Sequence, residues 1–218
     1  MPVALFDLDN TLLAGDSDYL WGVFLVERGI VDGDYYEREN SRYYADYRAG
    51  NLDIFEFLRF SLRPLRDNHP DLLKQLREDF LKEKIDPIIP EASFRLIERH
   101  REAGDELLII TATNAFVTAP IARRFGIENL IATEPEEIEG QYTGNVAGEP
   151  CFREGKVVRL NRWLQEHDRD LRGSWFYSDS HNDLPLLERV DNAVAVDPDE
   201  ILAEQARVRG WSVISLRT

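Results

Sequence analysis

A run of four apolar residues, Val3-Ala4-Leu5-Phe6, leads directly into Asp7-Leu8-Asp9-Asn10-Thr11-Leu12. A short, uninterrupted apolar run of this kind reads as a strand buried on both faces of a parallel sheet. Two carboxylates two residues apart at its carboxyl end are costly to bring together. Like charges that close do not both stay ionised unless a cation or a shared proton intervenes. Open α/β sheets also bind their ligands at this end of the strands. The stretch therefore reads as a site for a hard divalent cation beside a carboxylate nucleophile. The alternative is a solvated strand-to-loop turn, where Asp and Asn are common.

Charge and cysteine content narrow the choices further. The formal charge of −15 repels phosphate backbones, so nucleic acid is not an expected partner. Cys151 is the only cysteine, which excludes an internal disulfide and a cysteine metal cluster. No apolar run approaches the ~20 residues of a membrane span. Asp7 and Asp9 interrupt the first apolar run and no basic segment precedes it, so it does not read as a signal peptide. The expectation is a soluble cytoplasmic protein, monomeric or homodimeric, with no membrane association.

The chain changes character along its length. Helical patterns cover 19–28, 34–49, 53–62 and 70–84, two of them closed by Gly29 and Gly50. From Pro87 onward strands and helices alternate. Strands are expected at 106–110, 130–133, 174–178, 193–196 and 211–215, helices at 91–101, 117–125 and 155–166, and a β-hairpin within 137–147. The fold expected is α/β, a doubly wound, Rossmann-like parallel sheet formed by 1–15 and 87–218, with an all-helical, four-helix insertion at 16–86.

Three of the strands end in polar side chains. The first supplies Asp7 and Asp9, the second Thr111 and Thr113, the third Asp179 and Asp183, and Lys156 opens a helix between the second and third. In a doubly wound sheet these strand ends share one crevice. Oxygen-only donors suit Mg²⁺, which keeps waters and takes one or two carboxylates plus substrate phosphate. One aspartate can attack phosphorus, while a second protonates the leaving oxygen and later activates water.

These motifs, in this order, resemble the haloacid dehalogenase-like phosphatases. Asp7-Leu8-Asp9-Asn10-Thr11 is similar to that family's DxDxT motif, Thr111 to its second motif, Lys156 to its third, and Asp179-Ser180-His181-Asn182-Asp183 to its fourth. The helical insertion resembles the four-helix cap of the phosphoserine phosphatase-like branch. The resemblance implies that Asp7 is the nucleophile and Asp9 the general acid/base. It implies that Asp7, Asp9 (through its carbonyl), Asp179 and Asp183 serve the Mg²⁺ site, with Asp183 on metal-bound water or on Lys156. Phosphate binding would fall to Thr111, Ala112, Lys156 and Asn182. Ser180 and Thr111-Ala112-Thr113 depart from the family's usual Gly and Ser-Gly-Gly. Thr113 either shares the phosphate or caps the next helix, Asp183 can also cap the turn that follows it, and His181 either faces solvent or joins the site.

The insertion would choose the substrate, a small phosphorylated metabolite. Asp16 and Asp18 either meet a substrate amine or cap the first helix, and Arg48 is a candidate for an anionic group. The stretches around Asp16–Trp21, Val31-Asp32 and Tyr47–Gly50 resemble bacterial members of the branch linked to histidinol-phosphatase activity. Histidinol phosphate is the expected ester and O-phosphoserine the alternative. A phosphotransferase, or a non-catalytic metal-binding module, would use the same residues differently.

Overall fold

Six strands, all parallel, lie in the order β3-β2-β1-β6-β7-β8 in the computed structural model, which describes residues 1–217. They are β1 (Val3–Phe6), β2 (Glu106–Asn114), β3 (Asn129–Thr133), β6 (Trp175–Ser178), β7 (Asn192–Val196) and β8 (Ser212–Ile214). An antiparallel pair, β4 (Pro135–Ile138) and β5 (Gln141–Val146), makes the expected hairpin. The chain order reverses beside β1, the switch point at which such sheets form a crevice.

Side-chain alternation along β1 explains its uninterrupted apolar sequence. Val3 and Leu5 join one core and Ala4 and Phe6 the other. Helices α6 (Glu91–Ala103) and α7 (Ala115–Arg124) cover the Phe6 face through Leu96, Ile97, Val117 and Ile121. Helices α8 (Glu154–Glu166), α9 (Leu184–Leu187) and α10 (Glu200–Arg209) cover the Leu5 face through Val157, Leu160, Leu187 and Leu202.

Between β1 and α6 the chain is helical from Ser17 to Ile88. It forms α1 (Ser17–Glu27), α2 (Gly33–Arg48), α3 (Ile54–Ser61), α4 (Arg63–Asp67) and α5 (Pro70–Phe80), then short helical turns. Helix α4 adds to the four expected. Pro64 fits its first turn, and an Arg63–Asp67 pair at 3.2 Å spans it. Trp21, Phe24, Leu62 and Phe80 make the interior of this insertion and continue into the Phe6 face of the sheet, Trp21 meeting Phe116 of α7 at 5.7 Å.

Two other elements differ from the sequence reading. β2 runs on to Asn114, because beyond a register shift after Ile110 it pairs again, Asn114 with Thr133. Helix α10 occupies a stretch for which the sequence reading names no element, although Asp199 caps it through Leu202 N and Gly210 ends it at φ +70°.

Candidate active site

The turn after β1 places both leading aspartates. Leu8–Leu12 forms one wide helical turn anchored by the buried Leu8 and Leu12, and closed by Leu13 N donating to Leu8 O at 3.0 Å. Inside it Asp9 is extended and Asn10 left-handed (φ +56°), a conformation Asn tolerates better than most residues. As a result Asp7 and Asp9 line one cavity, together with Thr111, Ala112 and Thr113 from the end of β2.

Around Asp7 the carboxylates outnumber the cations. Lys156 Nζ, buried at the start of α8, donates to Asp7 Oδ1 at 2.7 Å and to the Asp183 carboxylate at 2.8 Å. Ser178 Oγ donates to the same Asp183 carboxylate at 2.7 Å. Thr11 Oγ1 lies 3.1 Å from both Asp7 Oδ2 and Asp179 Oδ1 and accepts from Asp179 N at 3.0 Å. Burial works against the Lys156 charge, but Asp183 and Asp7 outweigh it and leave its pKa raised. For Asp7, burial outweighs the pull of Lys156, and with Asp183 nearby the carboxyl is pushed up to about 7. Burial, then Asp7 and Asp183, also raises Asp179.

Three clustered carboxylates, Asp7, Asp179 and Asp183, thus have one lysine among them, and it contacts only Asp7 and Asp183, an arrangement that a divalent cation would relieve. No group of three or more His, Cys, Asp or Glu side chains among the described residues is set to hold a metal by itself. The carboxylates that remain are those of Asp7 and Asp179, joined through Thr11, which water and phosphate would complete. That all-oxygen set, with few protein ligands, fits Mg²⁺. Asp183 belongs to Lys156 and Ser178 in this arrangement.

Asp9 is held for a different task. Its Oδ2 accepts from Thr113 Oγ1 at 2.8 Å and Thr111 Oγ1 at 3.3 Å, and its Oδ1 from Ser17 N at 2.6 Å. Thr113 therefore orients Asp9, while Asn114 caps α7. A carboxyl so fixed over the cavity is positioned to exchange a proton with a bound group.

The insertion closes the other end of the cavity with Asp16, Asp18, Tyr19, Asn40, Tyr43, Tyr44, Tyr47, Leu52, Ile54 and Phe57, and Phe152 joins from before α8. Asp16 does cap α1, through Tyr19 N at 2.9 Å, and Asp18 accepts from Asn114 Nδ2 at 3.3 Å. No arginine, lysine or histidine lines this cavity among the described residues. Burial, then the neighbouring Asp9, raises both carboxyls, Asp18 to about 7 and Asp16 well above its usual value.

The remaining candidates lie elsewhere. Arg48 is exposed and lines an adjoining cleft with Asp179, His181 and Arg217, which shares Tyr44 and Tyr47 with the pocket of Asp16 and Asp18 although Arg48 itself is not among that pocket's lining. Asn182, expected on phosphate, is buried with its carboxamide between Arg153 Nε at 3.0 Å and Tyr47 O at 3.2 Å. His181 does not face solvent freely, because its Nδ1 meets Asp199 at 2.8 Å. Thr11, Ser178 and Arg153 are members of the network to which the sequence reading assigns no role. For Thr11 and Ser178 their places inside or beside the motifs were the available signal.

A family model described as haloacid dehalogenase-like hydrolase matches residues 4–188. The chain belongs to that family. It is 43% identical over 219 residues to a histidinol-phosphatase of Neisseria meningitidis, covering 99% of each chain. It is 30% identical over 222 residues to a phosphoserine phosphatase of Mycobacterium tuberculosis, covering 98% of this chain and 70% of that one. Among solved structures, a protein of unknown function from Bordetella pertussis is 45% identical, with TM-score 0.93 and coverage of 99% and 98%. A substrate-bound phosphoserine phosphatase shares the fold at TM-score 0.73 and 17% identity, covering 99% of this chain and 93% of that one.

Proposed function

We propose that the protein is a Mg²⁺-dependent phosphomonoesterase that hydrolyses histidinol phosphate through an aspartyl-phosphate at Asp7. The helical insertion at 16–86 serves as the cap over the core formed by 1–15 and 87–218. One observation carries the choice of substrate. The cap end of the cavity offers two partly buried carboxylates, Asp16 and Asp18, between aromatic walls, and no side-chain cation among the described residues. Such a pocket favours a ligand with positive charge and a flat ring. Histidinol phosphate carries an amine and an imidazole. Phosphoserine carries a carboxylate, which would enter this pocket beside two others with no cation to meet it. Identity to the Neisseria enzyme along the full chain supports the same reading.

The chain's own groups divide the work. Lys156 and the loop from Thr111 to Thr113 hold the phosphoryl oxygens. An Asp7 oxygen attacks phosphorus, the bond from phosphorus to the ester oxygen breaks, and Asp9 donates its proton to the departing alkoxide. Asp9 then takes a proton from the water that attacks the aspartyl-phosphate, releasing inorganic phosphate and restoring Asp7. Asp7, Asp179 and the Asp9 carbonyl would hold Mg²⁺, which would supply charge neutralisation at the phosphoryl group. Most of the rate enhancement then comes from positioning and fixed electrostatics.

The test is phosphate release from a panel of esters with Mg²⁺, comparing kcat/KM for histidinol phosphate, phosphoserine, sugar phosphates and nucleotides. Preference for histidinol phosphate by tenfold or more, about 1.4 kcal/mol, is the expected result. Preference for phosphoserine would overturn the substrate, and hydrolysis of none would overturn the activity.

A further inference from the structure

Arg153 stands where glycine is the usual residue. The Phe152–Gly155 turn closes with Gly155 N donating to Phe152 O at 2.8 Å. Arg153, its first central residue, has φ +49° and ψ −119°. That is the first central position of a type II′ turn, which a side chain disfavours. The end of the turn packs closely on the preceding chain, since a Cβ on Gly155 would lie 2.1 Å from Pro150 O. The contacts of the guanidinium supply a reason to keep an arginine there. Nε donates to Asn182 Oδ1 at 3.0 Å, and a terminal nitrogen donates to Gly50 O. Asn182 Nδ2 in turn donates to Tyr47 O at 3.2 Å. A donor on one side and an acceptor on the other fix which way the carboxamide faces.

One carbonyl belongs to the last turn of α2 in the cap and the other lies two residues beyond its end. Arg153 and Asn182 sit on core loops three residues from Lys156 and from Asp179, respectively. Gly50 itself is pressed close. It has φ +73°, and a Cβ there would lie 2.8 Å from His181 Nε2. The cap's other attachment is of another kind. There α3 and α4 pack on the β5 strand, and Arg77 lies over the Phe116 ring at 4.5 Å while donating to its carbonyl at 2.9 Å. The cap is therefore held by broad packing at one attachment and by a small polar clasp at another.

We propose that Arg153 is a positioning residue of the catalytic cycle. It clasps the α2 end of the cap to the phosphoryl end of the site, and the same contact sets the Asn182 carboxamide. The proposal rests on the reading of the insertion as a cap over a phosphate ester.

Two variants approach the clasp from opposite sides. Arg153→Gly removes the guanidinium while suiting the backbone, so melting temperature should hold or rise. Amide exchange across 47–51 in the magnesium-loaded enzyme should speed up. The kcat/KM for the best phosphate ester should fall about tenfold, while that for p-nitrophenyl phosphate, similar in size to histidinol phosphate but without the amine and imidazole that the cap would read, changes by less than about threefold. Gly50→Ala should give the same pattern, the double variant should lose little more, and Arg153→Lys should recover only part. Unchanged exchange at 47–51 in Arg153→Gly would overturn the proposal. Equal losses on both esters, or additive losses in the double variant, would do the same. Failure of the unmodified enzyme to hydrolyse any ester would count against the phosphatase reading, and the exchange measurement would still decide the clasp.

Discussion

At the sheet end of the cavity the charged groups are tied to partners within the chain; at the cap end they face aromatic walls and have almost none. Asp7, Asp183 and Lys156 are linked at 2.7–2.8 Å, and Thr11 joins Asp7 to Asp179. Asp9 is held from three directions. Asp16 has only the backbone of its own helix, and Asp18 has one amide at 3.3 Å. A preorganised end suits chemistry common to many phosphate esters, because its geometry need not wait for a ligand. An end with unmet charge suits selection, because the right ligand completes it and a wrong one leaves buried carboxylates unpaired.

Changes at the two ends should therefore behave differently, and the largest effects belong to the sheet end. Asp7→Asn should lower kcat by about 10⁴-fold or more on every ester, with circular dichroism unchanged. Near-normal turnover in that variant would remove Asp7 as nucleophile. A chelator should reduce activity to background on all esters alike, and added Mg²⁺ should restore it; full activity without metal would overturn the roles given to Asp7 and Asp179.

At the cap end the losses should be selective. Asp18→Asn should lower kcat/KM for histidinol phosphate ten- to a hundredfold, about 1.4–2.8 kcal/mol, and leave p-nitrophenyl phosphate within about threefold. Asp16→Ala should combine such a loss with about 1 kcal/mol of destabilisation, because Asp16 also caps α1. Equal losses on both esters would make either residue architectural.

The smallest effects are those of pH. Burial and Asp9 push Asp18 up to about 7, so it is neutral below that pH and charged above it. Its attraction for a cation appears as pH rises through 7, and kcat/KM for histidinol phosphate should show a rising limb there that Asp18→Asn lacks. Stability moves the other way. A carboxyl with a raised native pKa stabilises the fold fully below its ordinary value of 3.8, and that stability is lost as pH rises through 7. Asp18→Asn should therefore melt higher than the parent at pH 8, by about 1 kcal/mol given partial exposure, and equally at pH 4. Thermal melts at the two pH values check the sign.

The two ends were also unequally legible in the sequence. The β1 strand, the aspartates behind it and Lys156 are encoded by local patterns: an apolar run, a charged turn, a helix start. Parallel pairing then brings them together in one way. The selective end depends on how α1, α2 and α3 lie over the sheet, which no short pattern specifies. Arg48 shows the limit, since one turn of α2 separates it from Tyr44, which lines both clefts, yet Arg48 lines only the one beside Asp179. Asn182 shows another, because its contacts depend on Arg153, which the sequence offers as an ordinary arginine before a helix. Helix α10 was within reach, with Asp199 and Gly210 as its boundary signals. Thr113 was open between two roles, and orienting Asp9 is a third that required the fold.

The most direct test of this division compares Asp18→Asn with the unmodified protein on two esters, measured as the ratio of kcat/KM for histidinol phosphate to that for p-nitrophenyl phosphate. The account predicts that the ratio falls at least tenfold while the p-nitrophenyl phosphate value holds. An unchanged ratio would contradict it, because the cap carboxylate would then take no part in choosing the substrate.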